Sequence, residues 1–494
     1  MKKYKIIFTI FTMLLLVNAC SEKDLELTNP NQLSPDTFFK NEAQVQSAVN
    51  AAYANFQTHG MYSRGMFFSS DNMSHENAGN PQLEADKKQY LDFSFDSSHG
   101  LNKAFWDSCF RGVNKANFVI ENKEAIDAIP ETLMSTTTKA KFMGEAKFLR
   151  GLYYFWLVVR YGDVPLITVI PEAPVGFPKS SADLVYQQII DDLKDAQTTL
   201  RDKGVEDNGR ANKGAATALL GKVYLYRGEH ALALAEFNKL SGYALEANFF
   251  DNFKEETEHG IESIFEIEYD DDLGFSAQWN SDASGAGPNE ATFRGQEYGC
   301  LNWFNVYPSD DLLDEYEAGD TRFGDTFYSV GDSYAEGALT ITTSNLTVGT
   351  DVRRAGWKKY QNYYKDASED QTSGINFKYL RYADVLLMMA ECENEVGTQS
   401  DAVGYINRVR LRAGLTGLAT TLTKDQVFTA IVHERKVELA GEQVRFNDIV
   451  RWGNASTELA GTNFQAGKHE LMPIPDAEIS SNESITSADQ NPGY

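Results

Sequence analysis

Leu220-Gly221-Lys222-Val223-Tyr224-Leu225-Tyr226-Arg227-Gly228-Glu229-His230-Ala231-Leu232-Ala233-Leu234-Ala235-Glu236-Phe237-Asn238-Lys239-Leu240 is the stretch whose pattern decides the fold. Apolar residues recur three and four apart on both sides of Arg227-Gly228, which predicts two amphipathic helices joined by a tight turn. Gly221, Tyr224, Gly228, Ala233, Phe237 and Leu240 fall where a tetratricopeptide-like helix pair needs its small, aromatic and apolar contacts. The same offsets return at Ala390, Glu393, Gly397, Ala402, Ile406 and Val409, with Glu393 the polar misfit. A small residue at a crossing lets two backbones approach, and its recurrence predicts a scaffold of helix pairs.

Helical patterning extends outward from these pairs. A first helix is expected to begin near residues 41–42, with Val45, Val49, Ala52 and Phe56 at helical spacing, and others over 103–126 and 140–161. The last of these closes at Gly162-Asp163-Val164-Pro165, and Ser181-Ala182-Asp183 is read as the cap of another helix running to about residue 201. Two segments break the texture. Residues 61–100 mix Gly, Asn, Ser, Asp and aromatics without a sustained period and read as a long structured loop. Residues 241–377 hold short β-like runs, Ile264-Phe265-Glu266-Ile267-Glu268-Tyr269 and Leu339-Thr340-Ile341-Thr342, and read as a loop-rich insertion. The expected fold is an all-α scaffold of tetratricopeptide-like helix pairs plus this insertion, one body over residues 41–494.

The chain of 494 residues carries 45 Lys and Arg against 71 Asp and Glu, a formal charge of -26 that repels a phosphate backbone and argues against nucleic acid as a partner. Lys2, Lys3 and Lys5 precede an apolar run over residues 6–17, too short to span a bilayer but the size of a signal-peptide core. Leu16-Val17-Asn18-Ala19-Cys20 resembles a bacterial lipobox, so residues 1–19 are expected to be removed, Cys20 acylated, and residues 20–40 left as a lipidated tether; a plain secretory peptide cut near Cys20 is the alternative. Loss of three Lys then takes the charge to -29. Cys109, Cys300 and Cys392 are spaced for neither a disulfide framework nor a zinc site and are expected to be buried thiols.

Several phrases in order carry a family resemblance: Gly144-Glu145-Ala146-Lys147-Phe148-Leu149-Arg150 with Tyr161-Gly162-Asp163-Val164-Pro165-Leu166; Lys213-Gly214-Ala215-Ala216; Pro308-Ser309 with Gly319-Asp320-Thr321-Arg322; Leu380-Arg381-Tyr382-Ala383-Asp384; Glu434-Arg435-Lys436-Val437-Glu438-Leu439 with Arg445-Phe446-Asn447-Asp448; and the ending Gln490-Asn491-Pro492-Gly493-Tyr494. Nearly end to end, the chain resembles the SusD/RagB family of surface glycan-binding lipoproteins. It departs at Gly441-Glu442-Gln443-Val444, where the family tends to carry an aromatic and Glu-Gly-His, and at Ser487-Ala488-Asp489, which lengthens the approach to the ending. The resemblance implies a bound oligosaccharide or polysaccharide, no catalysis and no cofactor, an outer-membrane, surface-exposed location, and a TonB-dependent SusC-like transporter as partner.

The seven His never stand four apart, and no phosphate loop or nucleophile elbow occurs, so no metal or catalytic site is expected. The charges His433-Glu434-Arg435, Glu438, Arg445, Asp448 and Arg451 read as scaffold, as do Arg150 and Arg381, while Trp106 and Trp156 read as core. Sugar rings stack on exposed aromatics. Trp279, Tyr298 and Trp303, in irregular sequence near Gly residues, are therefore the expected platforms, with Asp71 and Asn72 as polar contacts. A lipid-anchored glycoside hydrolase and a tetratricopeptide-like adaptor for protein partners are the alternatives.

Overall fold

The computed structural model describes residues 38–170, 176–271, 289–368 and 372–494. Residues 1–19, most of the tether, Cys20 and Trp279 lie outside them. Twelve helices of seven residues or more occur among the described residues: α1 (Glu42–Ala54), α2 (Gly65–Met73), α3 (Ala85–Asp92), α4 (Gly100–Glu121), α5 (Thr136–Tyr161), α6 (Ala182–Thr199), α7 (Lys213–Tyr226), α8 (His230–Phe237), α9 (Tyr382–Val396), α10 (Gln399–Arg412), α11 (Lys424–Glu438) and α12 (Arg445–Arg451). Strands of three residues or more are β1 (Asn77–Gly79), β2 (Ser263–Ile267), β3 (Val306–Pro308) and β4 (Phe377–Arg381).

Helices α5 to α10 stack in sequence, and α8 packs directly on α9 although the whole insertion separates them in the chain. Gly221 explains the first crossing: a Cβ there would stand 2.4 Å from the Phe237 ring. Gly228, at φ +72°, makes the turn between the pair, a backbone conformation that only glycine adopts without cost. In the second pair Ala390, Ala402, Ile406 and Val409 are all buried together. Glu393 is accommodated because its carboxylate reaches the helix end and accepts from the Thr398 N–H.

Local expectations hold unevenly. Asn41 caps α1 by accepting from the Gln44 N–H at 3.1 Å. Ser181 precedes α6 but its hydroxyl makes no capping bond; Asp163 Oδ1 takes the Ala182 N–H instead, at 2.8 Å. The strand expected from Ile264 is β2, which pairs antiparallel with β4, so the two ends of the insertion are tied together at its root. The run at Leu339 shrinks to the two-residue strand Leu339–Thr340.

Residues 61–100 are not a loop. They form α2, β1 and α3, and every residue of α2 is buried. A helix enclosed on all sides carries no amphipathic period, which is why periodicity misses it. α2 joins the insertion in a second apolar core where Phe67, Phe68 and Leu83 meet Phe293, Tyr298, Phe327 and Trp357. Trp106 and Trp156 are core, and the three described cysteines are buried thiols, burial pushing Cys300 and Cys392 up to about 12.

The charged phrases of α11 and α12 form buried ion pairs. Arg435 bridges Asp384 and Asp448, Arg451 reaches Asp448 and Glu391, and Arg381 is enclosed by Glu262, Glu438 and Glu442. Arg150 holds Asp192 with two parallel bonds of 2.8 and 2.7 Å, clamping α5 to α6.

Candidate functional site

Antiparallel pairing of β1 with β3 brings the two sequence-distant candidate regions side by side, Asn77 opposite Pro308 and Gly79 opposite Val306. The pairing continues beyond the strands: the Asn80 N–H donates to the Asn305 carbonyl at 2.9 Å, and Asn80 Nδ2 to the Phe304 carbonyl at 3.3 Å. The chain then turns tightly through residues 299–304, the Trp303 N–H donating to the Gln296 carbonyl. Trp303 stands at this edge with 40% of its surface exposed.

Beneath it lies a buried polar network. The Tyr298 hydroxyl donates to Asp71 Oδ2 at 2.9 Å and accepts from Asn77 Nδ2 at 3.0 Å. Asn77 Nδ2 also reaches Asn72 Oδ1, and Trp357 Nε1 donates to Asn77 Oδ1 at 2.8 Å. The Arg294 guanidinium lies between the faces of Tyr298 and Tyr360, 4.7 and 4.6 Å from their centroids, and donates to the Gly441 carbonyl. Burial raises the pKa of Asp71, opposed by Arg294 and the Tyr298 hydrogen bond; burial and the Asp71 charge raise Glu76 further, although the Gly441 N–H binds its carboxyl.

Tyr298, Asp71 and Asn72 are thus corrected. All three are fully buried, Tyr298 at 0% exposure, and offer no stacking face or accessible polar group at the surface; Asp71 Oδ1 has no hydrogen-bond partner but is itself buried. They are the foundation that fixes β1 against the turn carrying Trp303. Trp279 lies outside the described residues. Sequence reasoning missed two polar residues near this edge: Gln82, exposed, whose backbone N–H donates to Asn80 Oδ1, and Asn302, whose Nδ2 is buried without a hydrogen-bond partner. The Asn80-Pro81 turn signal was the only hint of the first. An exposed indole on a rigid edge can stack on a sugar's C–H face.

Among the described residues, two groups of His and carboxylates are close enough to suggest a metal, but both already have cations paired with them. Lys378 Nζ lies 2.6 Å from Glu266 Oε1 in the group of Glu258, His259 and Glu266, and Arg410 pairs with Glu317 and Glu434 beside His433.

Residues 261–494 match the model of the SusD family, and residues 23–225 match a family described as starch-binding and associating with the outer membrane. The chain belongs to the SusD/RagB family. A SusD-like protein of Formosa agariphila is 29% identical over the whole of both chains. The starch-binding protein SusD of Bacteroides thetaiotaomicron is 25% identical, covering 77% of this chain and 76% of that one. Among solved structures, a SusD superfamily protein from Bacteroides vulgatus superposes with a TM-score of 0.79 at 26% identity, covering 93% of this chain and all of that one. A laminarin-binding SusD-like protein gives 0.78 at 27%, covering 92% and 100%. This SusD/RagB protein therefore shares the helical architecture of a glycan-binding family.

Proposed function

We propose that the protein captures a glucan oligosaccharide at the cell surface through the Trp303 edge and delivers it, unbroken, to a TonB-dependent SusC-like transporter in the outer membrane. Trp303 carries this reading: it is a large aromatic kept in solvent by a turn whose foundation is rigidly hydrogen bonded. Preorganisation of this kind lowers the entropy lost on binding. Its relatives support the ligand class, since one similar structure is that of a laminarin-binding protein and one relative is a starch-binding protein.

Isothermal titration with laminarin and starch oligosaccharides tests the site. Trp303→Ala is expected to weaken binding by about 1–3 kcal/mol, roughly 5- to 150-fold, as for comparable aromatic truncations. An unchanged affinity moves the site away from this edge, first to Trp279. Reducing ends appearing during the titration would replace capture with hydrolysis.

Delivery places the α7–α8 and α9–α10 pairs against the barrel and leaves residues 241–377 to help form the sugar site. Crosslinking in native membranes followed by mild-detergent purification is expected to recover a large barrel protein in stoichiometric amount. Recovery of this chain alone removes the transporter from the reading.

A further inference from the structure

Nine arginines are buried among the described residues, and eight of them have a carboxylate oxygen within 4.0 Å. Arg160, in the last turn of α5 and only 7% exposed, is the ninth. Its partners are all neutral. Nη1 donates to Ser69 Oγ at 3.0 Å, and Nη2 to Ser70 Oγ at 2.7 Å and Met66 Sδ at 3.1 Å. The Phe105 ring covers one face of the guanidinium at 4.4 Å. Three contacts leave two of the five N–H groups of an arginine without a partner. A buried charge of this kind is costly unless it is paired.

A cavity of about 130 Å³ adjoins it, lined by Arg160, Ser70, Tyr226, Asn447, Arg451 and Glu470 among others. A cavity of about 150 Å³ holds a benzene ring, so this one has room for a carboxylate, sulfate or phosphate group. The other charges on its wall do not neutralise Arg160. Arg451 is matched by Glu391 and Asp448, and Glu470, which accepts from the Gly467 N–H, lies beyond ion-pair distance of Arg160. Partial exposure of Tyr186, Asn447 and Glu470 leaves a way in from solvent.

We propose that this cavity is an oxyanion-binding site, with the Arg160 guanidinium as counter-ion and the Ser70 hydroxyl as a second donor. A guanidinium fork suits such a group because two N–H bonds can reach two of its oxygens. The anion is either free in the medium or an acidic substituent of a captured glycan, and α2, which carries Asp71 under the Trp303 edge, also carries Ser69 and Ser70.

Equilibrium dialysis of the mature chain with radiolabelled sulfate tests this at constant ionic strength. One saturable equivalent per chain is expected. Ser70→Ala should weaken it about tenfold, as for loss of a hydrogen bond to a charged group, and Arg160→Gln should abolish it. Glu470→Gln, which removes the one unmatched negative charge on the wall, should tighten it severalfold. Displacement by a uronate- or sulfate-bearing oligosaccharide, but not by a neutral one, assigns a glycan subsite; displacement by phosphate or acetate alone assigns a small-anion site. Circular dichroism of Arg160→Gln guards against unfolding, and Ser70→Ala carries the test if that variant does not fold. Absence of saturable binding in both the wild type and Glu470→Gln, or binding undiminished in Ser70→Ala, overturns the proposal.

Discussion

Glu438→Ala is expected to cost about 3–5 kcal/mol, the range for breaking a buried ion pair from one side, and so a large part of the roughly 5–15 kcal/mol that holds a typical fold. Three guanidinium groups from separate elements converge on this fully buried carboxylate: Arg322 after the Gly319 turn, Arg381 at the end of β4, and Arg412 at the end of α10. Without it they remain as buried like charges with only Glu262, Glu434, Glu442 and Asp320 to share. Burial acts to raise the Glu438 pKa, but Arg412, Arg381 and Arg322 outweigh it and hold the group well below the usual carboxylate range. A depressed folded-state pKa means that the stabilisation is complete above the unfolded value of about 4.3 and is lost as pH falls towards the folded one. Urea melts at pH 7 and pH 3.5 measure both effects. The variant should show a smaller loss between the two pH values than the wild type, and equal midpoints at pH 7 would refute the role given to this network.

Cys20→Ala is expected to abolish fatty-acid labelling and to release the protein from the membrane fraction, save for any share held by the transporter. No described helix is long and apolar enough to cross a membrane; under the proposed reading the acyl chains attach the protein to the bilayer itself, and the transporter is its only other hold on the membrane. Each buried CH₂ adds about 0.8 kcal/mol, and two or more chains are needed for a stable anchor. Fatty-acid labelling and membrane fractionation check the result; a variant that still labels, or that sediments with membranes as fully as the wild type, defeats the lipobox reading.

What was legible in the sequence was local and periodic. The apolar spacing of α1, α4 and α6 marks helices that bury one face against a neighbour and keep the other wet, so the pattern is written within a single element; α5, α7 and α9 are buried on nearly all sides and were legible instead from their long apolar runs and from the small residues Gly221 and Ala390. The phrases from Gly144 to Tyr494 likewise placed the chain in its family. Tertiary structure decided the rest, because burial and pairing are set by residues far away in the chain. Tyr298 and Trp303 look equivalent in sequence, yet β1, Asp71 and Trp357 close over the first and leave the second in solvent. Arg150 and Arg160 lie ten residues apart on the same apolar helix; α6 supplies Asp192 to one, whereas α2 supplies only hydroxyls and a thioether to the other. A side chain's charge is local, but whether that charge is matched depends on which elements the fold packs against it.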